Sequence, residues 1–254
     1  MPGLFVTGTD TGAGKTVVAA AVVAALRAQS VPARALKPLI TGLEEPQDPV
    51  WPSDDRLLAE VSDMEPDKVT LRRYGPAVSP HLAAELALDS LEGADLVAEI
   101  LARLAGDDVL IVEGAGGLLV PICPGYDMRS LARDVGLPVL IAARPGLGTI
   151  NHTLLTLEAA RTGGLHVAGV VLTPWPAVAG VIERSNRQTI ARLGAVGVSV
   201  LPTIARPSVH ALAKAGAGLP LAEWLDPLEW PPRTGRGQRV APSGGTRQPA
   251  LRIA

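Results

Sequence analysis

The stretch Gly8-Thr9-Asp10-Thr11-Gly12-Ala13-Gly14-Lys15-Thr16 constrains this chain more than any other. It stands between a short apolar run, Leu4-Phe5-Val6, and an Ala/Val-rich segment from Thr16 to Gln29. The run reads as a strand and the segment as a helix buried on much of its surface. Glycines between a strand and a helix let backbone N–H groups converge on phosphate oxygens at the helix N-terminus, where the macrodipole also favours an anion. In that arrangement Lys15 reaches the β- and γ-phosphates and the Thr16 hydroxyl ligates Mg²⁺. The loop is a variant of G-x-x-x-x-G-K-[ST], because the expected first glycine stands at Gly8 and Thr9 takes its place.

Short apolar runs alternate with longer helical patterns along the rest of the chain, which points to an α/β fold built from βαβ units around a mainly parallel sheet. Further strands are predicted at Ala33–Leu36, ending at Lys37-Pro38, and at Val109–Val112, ending on Glu113. Pro138–Ala142, Val167–Leu172 and Val198–Leu201 read likewise. Helices are predicted over Asp54–Val61, His81–Leu88, Gly93–Leu104, Thr149–Thr162 and Val178–Leu193. Aromatics make up only 3% of the chain, so its core must be Ala, Val and Leu packing. Residues 1–230 read as one domain. From Pro231 to Ala254 the composition turns to Pro, Gly, Ser, Thr and Arg with no acidic residue, as expected of a disordered tail.

A formal charge of -2 argues against general nucleic-acid or membrane-surface binding. No apolar stretch of the length a membrane span needs is present near the N-terminus. The single cysteine, Cys123, excludes an internal disulfide framework and fits a reducing compartment. The expectation is a soluble cytoplasmic protein with neither nucleic-acid nor membrane partners.

A phosphate loop needs an acidic group to help hold its metal. Glu113, at the end of a buried strand, supplies one, and Gly114-Ala115-Gly116-Gly117 lets the chain approach a ligand closely. Asp54 and Asp55 follow Ser53 at a helix start, where capping and a favourable dipole interaction are equally available roles. Lys37, at the carboxyl end of its strand, lies where ligands bind in open α/β sheets and can stabilise charge on a transferred phosphoryl group.

Taken together, the segments resemble the dethiobiotin synthetase family. The loop at Gly8–Thr16 is similar to its GTDTxxGKT motif, Lys37-Pro38-Leu39-Ile40-Thr41-Gly42 to KPxxxG, and Ser53-Asp54 to SD. Ser79-Pro80-His81 resembles SPH, Glu113-Gly114-Ala115-Gly116-Gly117 resembles EGAGG, and Leu147-Gly148-Thr149-Ile150-Asn151-His152 resembles LGxINH. The motifs run in the family's order over roughly residues 3–205. The resemblance implies a homodimeric P-loop NTPase of three α/β/α layers with about seven mostly parallel strands. It also implies ATP-driven ring closure of 7,8-diaminononanoate with CO₂ or bicarbonate. On that basis Lys15, Lys37 and Thr11 carry the chemistry, and Thr16, Asp54 and Glu113 gather around Mg²⁺. Gly12, Ala13, Gly14, Lys15, Thr16, Val17, Asp54, Glu113, Gly114, Ala115 and Gly116 belong to the nucleotide site. So do Thr173, Pro174, Pro202, Thr203 and Ile204. Thr41, Ser79 and Pro80 line the diamine site, and Gly148, Thr149, Ile150 and Asn151 hold the substrate carboxylate across the dimer interface.

One position departs from the family's pattern. Thr173 stands where the family places an Asn that reads the adenine edge, and a single hydroxyl cannot make that bidentate contact. A relaxed nucleotide preference is expected, extending to another nucleotide such as CTP. Trp175 offers either a stacking surface for a base or an indole packed at a strand end. The nearest alternative is a Min- or Par-type switch ATPase. Those proteins carry a lysine early in a KGGxGKT loop, and the equivalent position here is Asp10.

Overall fold

The structure, a computed structural model, describes residues 2–46 and 48–226. The Arg-rich segment 231–254 lies outside the described residues. The chain runs β1 (Gly3–Gly8), α1 (Lys15–Ala28), β2 (Ala33–Ile40), α2 (Asp54–Ser62), α3 (Pro66–Val69) and β3 (Thr70–Arg73). Next come α4 (Pro80–Leu86), α5 (Gly93–Leu104) and β4 (Val109–Glu113), followed by a small hairpin of β5 (Pro121–Cys123) and β6 (Tyr126–Asp127). Then follow α6 (Met128–Val135), β7 (Val139–Ala143), α7 (Thr149–Thr162), β8 (Val167–Trp175), α8 (Val181–Gly194) and β9 (Val198–Pro202). The helices α9 (Val209–Gly216) and α10 (Leu221–Trp224) close the described part.

Seven strands form one sheet in the order β3-β2-β4-β1-β7-β8-β9. Every neighbouring pair is parallel, which meets the expected architecture and makes the sheet parallel throughout. Helices cover both faces, and the period-2 alternation of each strand divides its apolar residues between them. Leu4, Val6 and Ile111 pack with α1, α2 and α9, while Phe5, Leu110 and Val112 pack with α5 and α6. None of the described helices is long and apolar enough to cross a membrane.

The β2 strand runs to Ile40, beyond the predicted end at Lys37-Pro38. Its pairing with β4 stops at Leu36↔Val112, so Pro38, which has no N–H to donate, falls where that ladder has already ended. Past that point β2 pairs with β3 on its other edge, Lys37 opposite Thr70. The β3 segment Thr-Leu-Arg-Arg gives no alternating apolar signal because it is a short edge strand whose arginines pair with helix acids, Arg72 with Glu99 and Arg73 with Asp55. The α6 helix was also missed, although Met128, Leu131, Ala132 and Val135 are buried at helical spacing. Asp127 caps it by accepting from the Ser130 N–H at 2.8 Å. The eighth helix begins at Val181, not at Val178.

The α1 helix, which carries Lys15 and Thr16 at its first turn, is enclosed on nearly all sides by the sheet, α2 and α9. Its alanines permit very close approach. A Cβ on Gly216 of α9 would lie 2.3 Å from the Ala21 carbonyl oxygen. Gly216→Val should therefore force the two helices apart and destabilise the protein by about 1–3 kcal/mol. Urea unfolding monitored by circular dichroism measures this, and unchanged stability would contradict the packing described.

Candidate active site

The carboxyl ends of β1, β2 and β4 meet at one edge of the sheet, beside the point where strand order reverses. The loop after β1 turns there with Gly12 at φ +69° and Gly14 at φ +91°, conformations that favour glycine. Gly14 leads into α1 with no side-chain cap, leaving the first helical N–H groups directed at the cavity. Lys15 is buried and its Nζ donates to the Asp10 carbonyl at 3.0 Å. Burial, partly offset by Glu113 and reinforced by Lys37, lowers its pKa.

Beneath the loop lies a charged floor. Glu113, fully buried at the end of β4, accepts from Lys37 Nζ at 2.7 Å and from the Thr16 hydroxyl at 2.8 Å, both on Oε1. Lys37 also pairs with Asp54. The other Glu113 oxygen, Oε2, is buried without a hydrogen-bond partner among the described residues. Burial works to lower the Lys37 pKa, but the charges of Glu113 and Asp54 outweigh it and hold it above the ordinary lysine value. Lys37 is therefore a fixed cation and not a proton acceptor. Burial pushes Glu113 upward; Lys37 draws it back and the charge of Asp54 adds to the rise. Burial works to raise Asp54 too, yet the Lys37 charge holds it below the usual carboxylate range. Of the two adjacent acids, only Asp54 faces this floor, since Asp55 pairs with Arg73 on β3 at 2.7 Å.

A cavity of about 560 Å³ opens over these groups. It is lined by the expected Thr11, Gly12, Gly14, Lys15, Thr16, Val17, Lys37, Thr41, Asp54, Ser79, Pro80, Glu113, Ala115 and Gly116. Leu39, Trp51, Pro52, Leu57, Ala77, Val78 and Val120, which the sequence did not single out, complete an apolar wall. Their only sequence signal was proximity to the motifs. Trp51 is oriented by Asp48, whose carboxylate accepts from the Val50 and Trp51 N–H groups at 2.7 and 2.9 Å. Of the residues expected around the phosphates and the metal, two do not line the cavity. Ala13 is buried under the loop, and Gly114 packs on Phe5 and Met128, where a Cβ would lie 3.1 Å from the Met128 side chain.

The expected base-reading residues form a second group beyond β8 and β9. Thr203 donates to the Trp175 carbonyl through both its N–H and its hydroxyl, at 2.9 and 3.1 Å, drawing Pro202-Thr203-Ile204 beside Thr173-Pro174. Thr173 is buried with its methyl against the phosphate loop; a Cβ on Gly14 would sit 2.5 Å from it. Trp175 is half-buried and packs on the core at the strand end. Gly148-Thr149-Ile150-Asn151 lie at the start of α7, outside the cavity. Thr149 is buried there, and Asn186 of α8 braces the preceding loop by donating to the carbonyls of Pro145 and Gly146 at 2.9 and 3.1 Å.

With that geometry in hand, comparison with known proteins is informative. The AAA domain family matches residues 2–209. An ATP-dependent dethiobiotin synthetase of Anaeromyxobacter dehalogenans is 47% identical over 68% of this chain and 76% of its own length. One from Rhodococcus jostii is 39% identical over 88% of this chain and 94% of its own. The chain belongs to the dethiobiotin synthetase family. Among solved structures, a ParA family ATPase from Chlorobium tepidum is similar with a TM-score of 0.51 at 15% identity, covering 87% of this chain and 92% of that one. The MinC:MinD cell division complex of Aquifex aeolicus reaches 0.50 at 12% identity, covering 88% and 89%. At such identities these two share the fold with the family, and nothing more follows from them.

The buried charge network yields a stability test. Lys37→Met leaves the carboxylates of Glu113 and Asp54 without their cation and should cost about 3–5 kcal/mol. Adding Glu113→Gln removes the fully buried charge and should recover much of that loss. Urea denaturation of the two single variants and the double variant completes the cycle. Additive losses would show that the pair is not coupled.

Proposed function

We propose that this protein is an ATP-dependent dethiobiotin synthetase, closing the ureido ring of dethiobiotin from 7,8-diaminononanoate and CO₂ or bicarbonate. The observation that carries the reading is one cavity joining the phosphate loop, the Lys37–Glu113–Asp54 floor and an apolar wall. Residues of the phosphate-loop, KPxxxG, SD, SPH and EGAGG segments line it together. A triphosphate suits the loop, and an aliphatic diamine suits the wall with Thr41, Ser79 and Pro80 beside it.

The chemistry asks for positioning and charge neutralisation. One amine of the substrate attacks CO₂ and gives a carbamate, a poor electrophile. Transfer of the γ-phosphoryl group to a carbamate oxygen makes a carbamic–phosphoric anhydride. The second amine attacks its carbonyl carbon, the C–O bond to phosphate breaks, and the ring closes with release of phosphate and ADP. No side-chain nucleophile is needed. Lys15 contacts the phosphates, while Lys37 and Thr11 hold the carbamate and offset charge on the phosphoryl group in flight. Mg²⁺ fits beside them: Thr16, Asp54 and the unpartnered Glu113 Oε2 are hard oxygen donors facing one region. When bound, it would neutralise charge on the phosphate oxygens.

A homodimer is part of the reading. Leu147 is 99% exposed and Val178, Val181 and Ile182 are 89%, 74% and 56% exposed, close to the loop that Asn186 braces. Covering this apolar surface with a second copy would bring the partner's Gly148–Asn151 segment to the substrate carboxylate, a contact its own protomer does not use. A cytoplasmic site of action fits the single free thiol at Cys123.

Phosphate release should depend on both diaminononanoate and bicarbonate. Lys37→Ala should lower turnover by about 10²–10³-fold under conditions where circular dichroism reports a folded protein. Release without the diamine would favour a switch ATPase. With Thr173 lacking a bidentate base contact, initial rates with ATP, GTP, CTP and UTP should fall within about tenfold of one another. A strong preference for ATP would refute that part alone. Ile182→Asp with Leu147→Asp should convert a dimer to a monomer by light scattering and raise KM for the diamine.

A further inference from the structure

Arg144 follows β7 directly, and β7 is the neighbour of β1 on the side away from β4. Gly8 pairs with Ala142 and the Thr9 N–H donates to the Ala142 carbonyl, so the chain at 144 emerges alongside the phosphate loop. The Arg144 Nε donates to the Gly12 carbonyl at 3.2 Å. A Cβ on Gly12 would lie 2.9 Å from Arg144 Nη2, which places the guanidinium against the loop backbone. Asn186 holds the next two carbonyls of the same segment, which fixes where the arginine leaves the strand. Among the described residues Arg144 forms no ion pair, and its side chain is exposed.

Arg144 does not itself line the cavity, but Gly12, whose carbonyl it holds, does, and the charge balance there leaves work for a further cation. Lys15 and Lys37 are matched by Asp54 and Glu113, and a triphosphate carries more negative charge than one divalent cation neutralises. A guanidinium offers several donors in a fixed fork, and one Nε–H to a carbonyl leaves the Nη groups unused. We propose that Arg144 is a further phosphate-binding residue of this site, adding a cation to the phosphate loop from the β7 side. The inference rests on the nucleotide reading of the cavity.

Calorimetric titration of the full chain with Mg-ADP tests it, using wild type, Arg144→Ala, Arg144→Gln and Arg144→Lys. The glutamine keeps a donor for the Gly12 carbonyl and removes the charge; the lysine keeps the charge. Both Ala and Gln should weaken Mg-ADP binding by about tenfold at low ionic strength, and Lys should retain most of the affinity. The deficit should shrink as salt rises, with the ligand-free melting temperature unchanged. Wild-type affinity in Arg144→Ala would overturn the proposal. So would full rescue by glutamine, which would make the arginine a brace for the loop alone. Failure of the wild type to bind Mg-ADP would instead overturn the nucleotide reading itself.

Discussion

The buried pair of Lys37 and Glu113 is the contact on which the cavity depends. Either charge alone at that depth would carry a desolvation cost of several kcal/mol, and neither strand offers an escape to solvent. Lys37 sits in β2 just past the last pair with β4, Glu113 closes β4, and the two meet at 2.7 Å. Asp54 and Thr16 attach themselves to the same pair, one from α2 and the other from α1. One charge network thus ties two strands to two helices at the spot where the phosphate loop opens. Its carboxylates also fix Lys37 as a permanent cation, which decides what that residue can do chemically.

The scaffold around this network is stiff because it is made of small residues. An Ala/Val helix at the centre lets α9 and the sheet come within backbone contact distance, with Phe5 as the only phenylalanine in the chain. Close packing of that kind tolerates little change in volume. The loops at the carboxyl edge of the sheet carry Trp51, Val78 and Val120, which give the cavity its apolar side. The family's chemistry asks for such a division: rigid placement of charge at the floor, and an adaptable wall for an aliphatic chain.

Much of the fold was legible from short apolar runs set between helical patterns. What escaped were short elements: the edge strand Thr70–Arg73, which exists because β2 extends past β4, the hairpin before α6, and the helices α3, α6, α9 and α10. The site divides in the same way. Glycines at 12 and 14 could be placed because left-handed backbone needs them, and Glu113 because a charge ending a buried strand demands a partner. Asp54 could not be told from a helix cap by spacing. Trp51 and Arg144 stand a few residues outside the motifs, and Asn186 carries no pattern of its own.

The sequence by itself determined the phosphate loop, the order of strands and helices along the chain, and the family to which they belong, because each is encoded in local residue type and spacing. Tertiary structure alone decided which groups meet. It turned Asp54 toward Lys37 and Asp55 toward Arg73, kept Gly148–Asn151 out of the cavity, and laid Arg144 against Gly12. Those outcomes follow from parallel pairing, which brings strand ends far apart in sequence to one edge of the sheet, and no local pattern records which ends become neighbours.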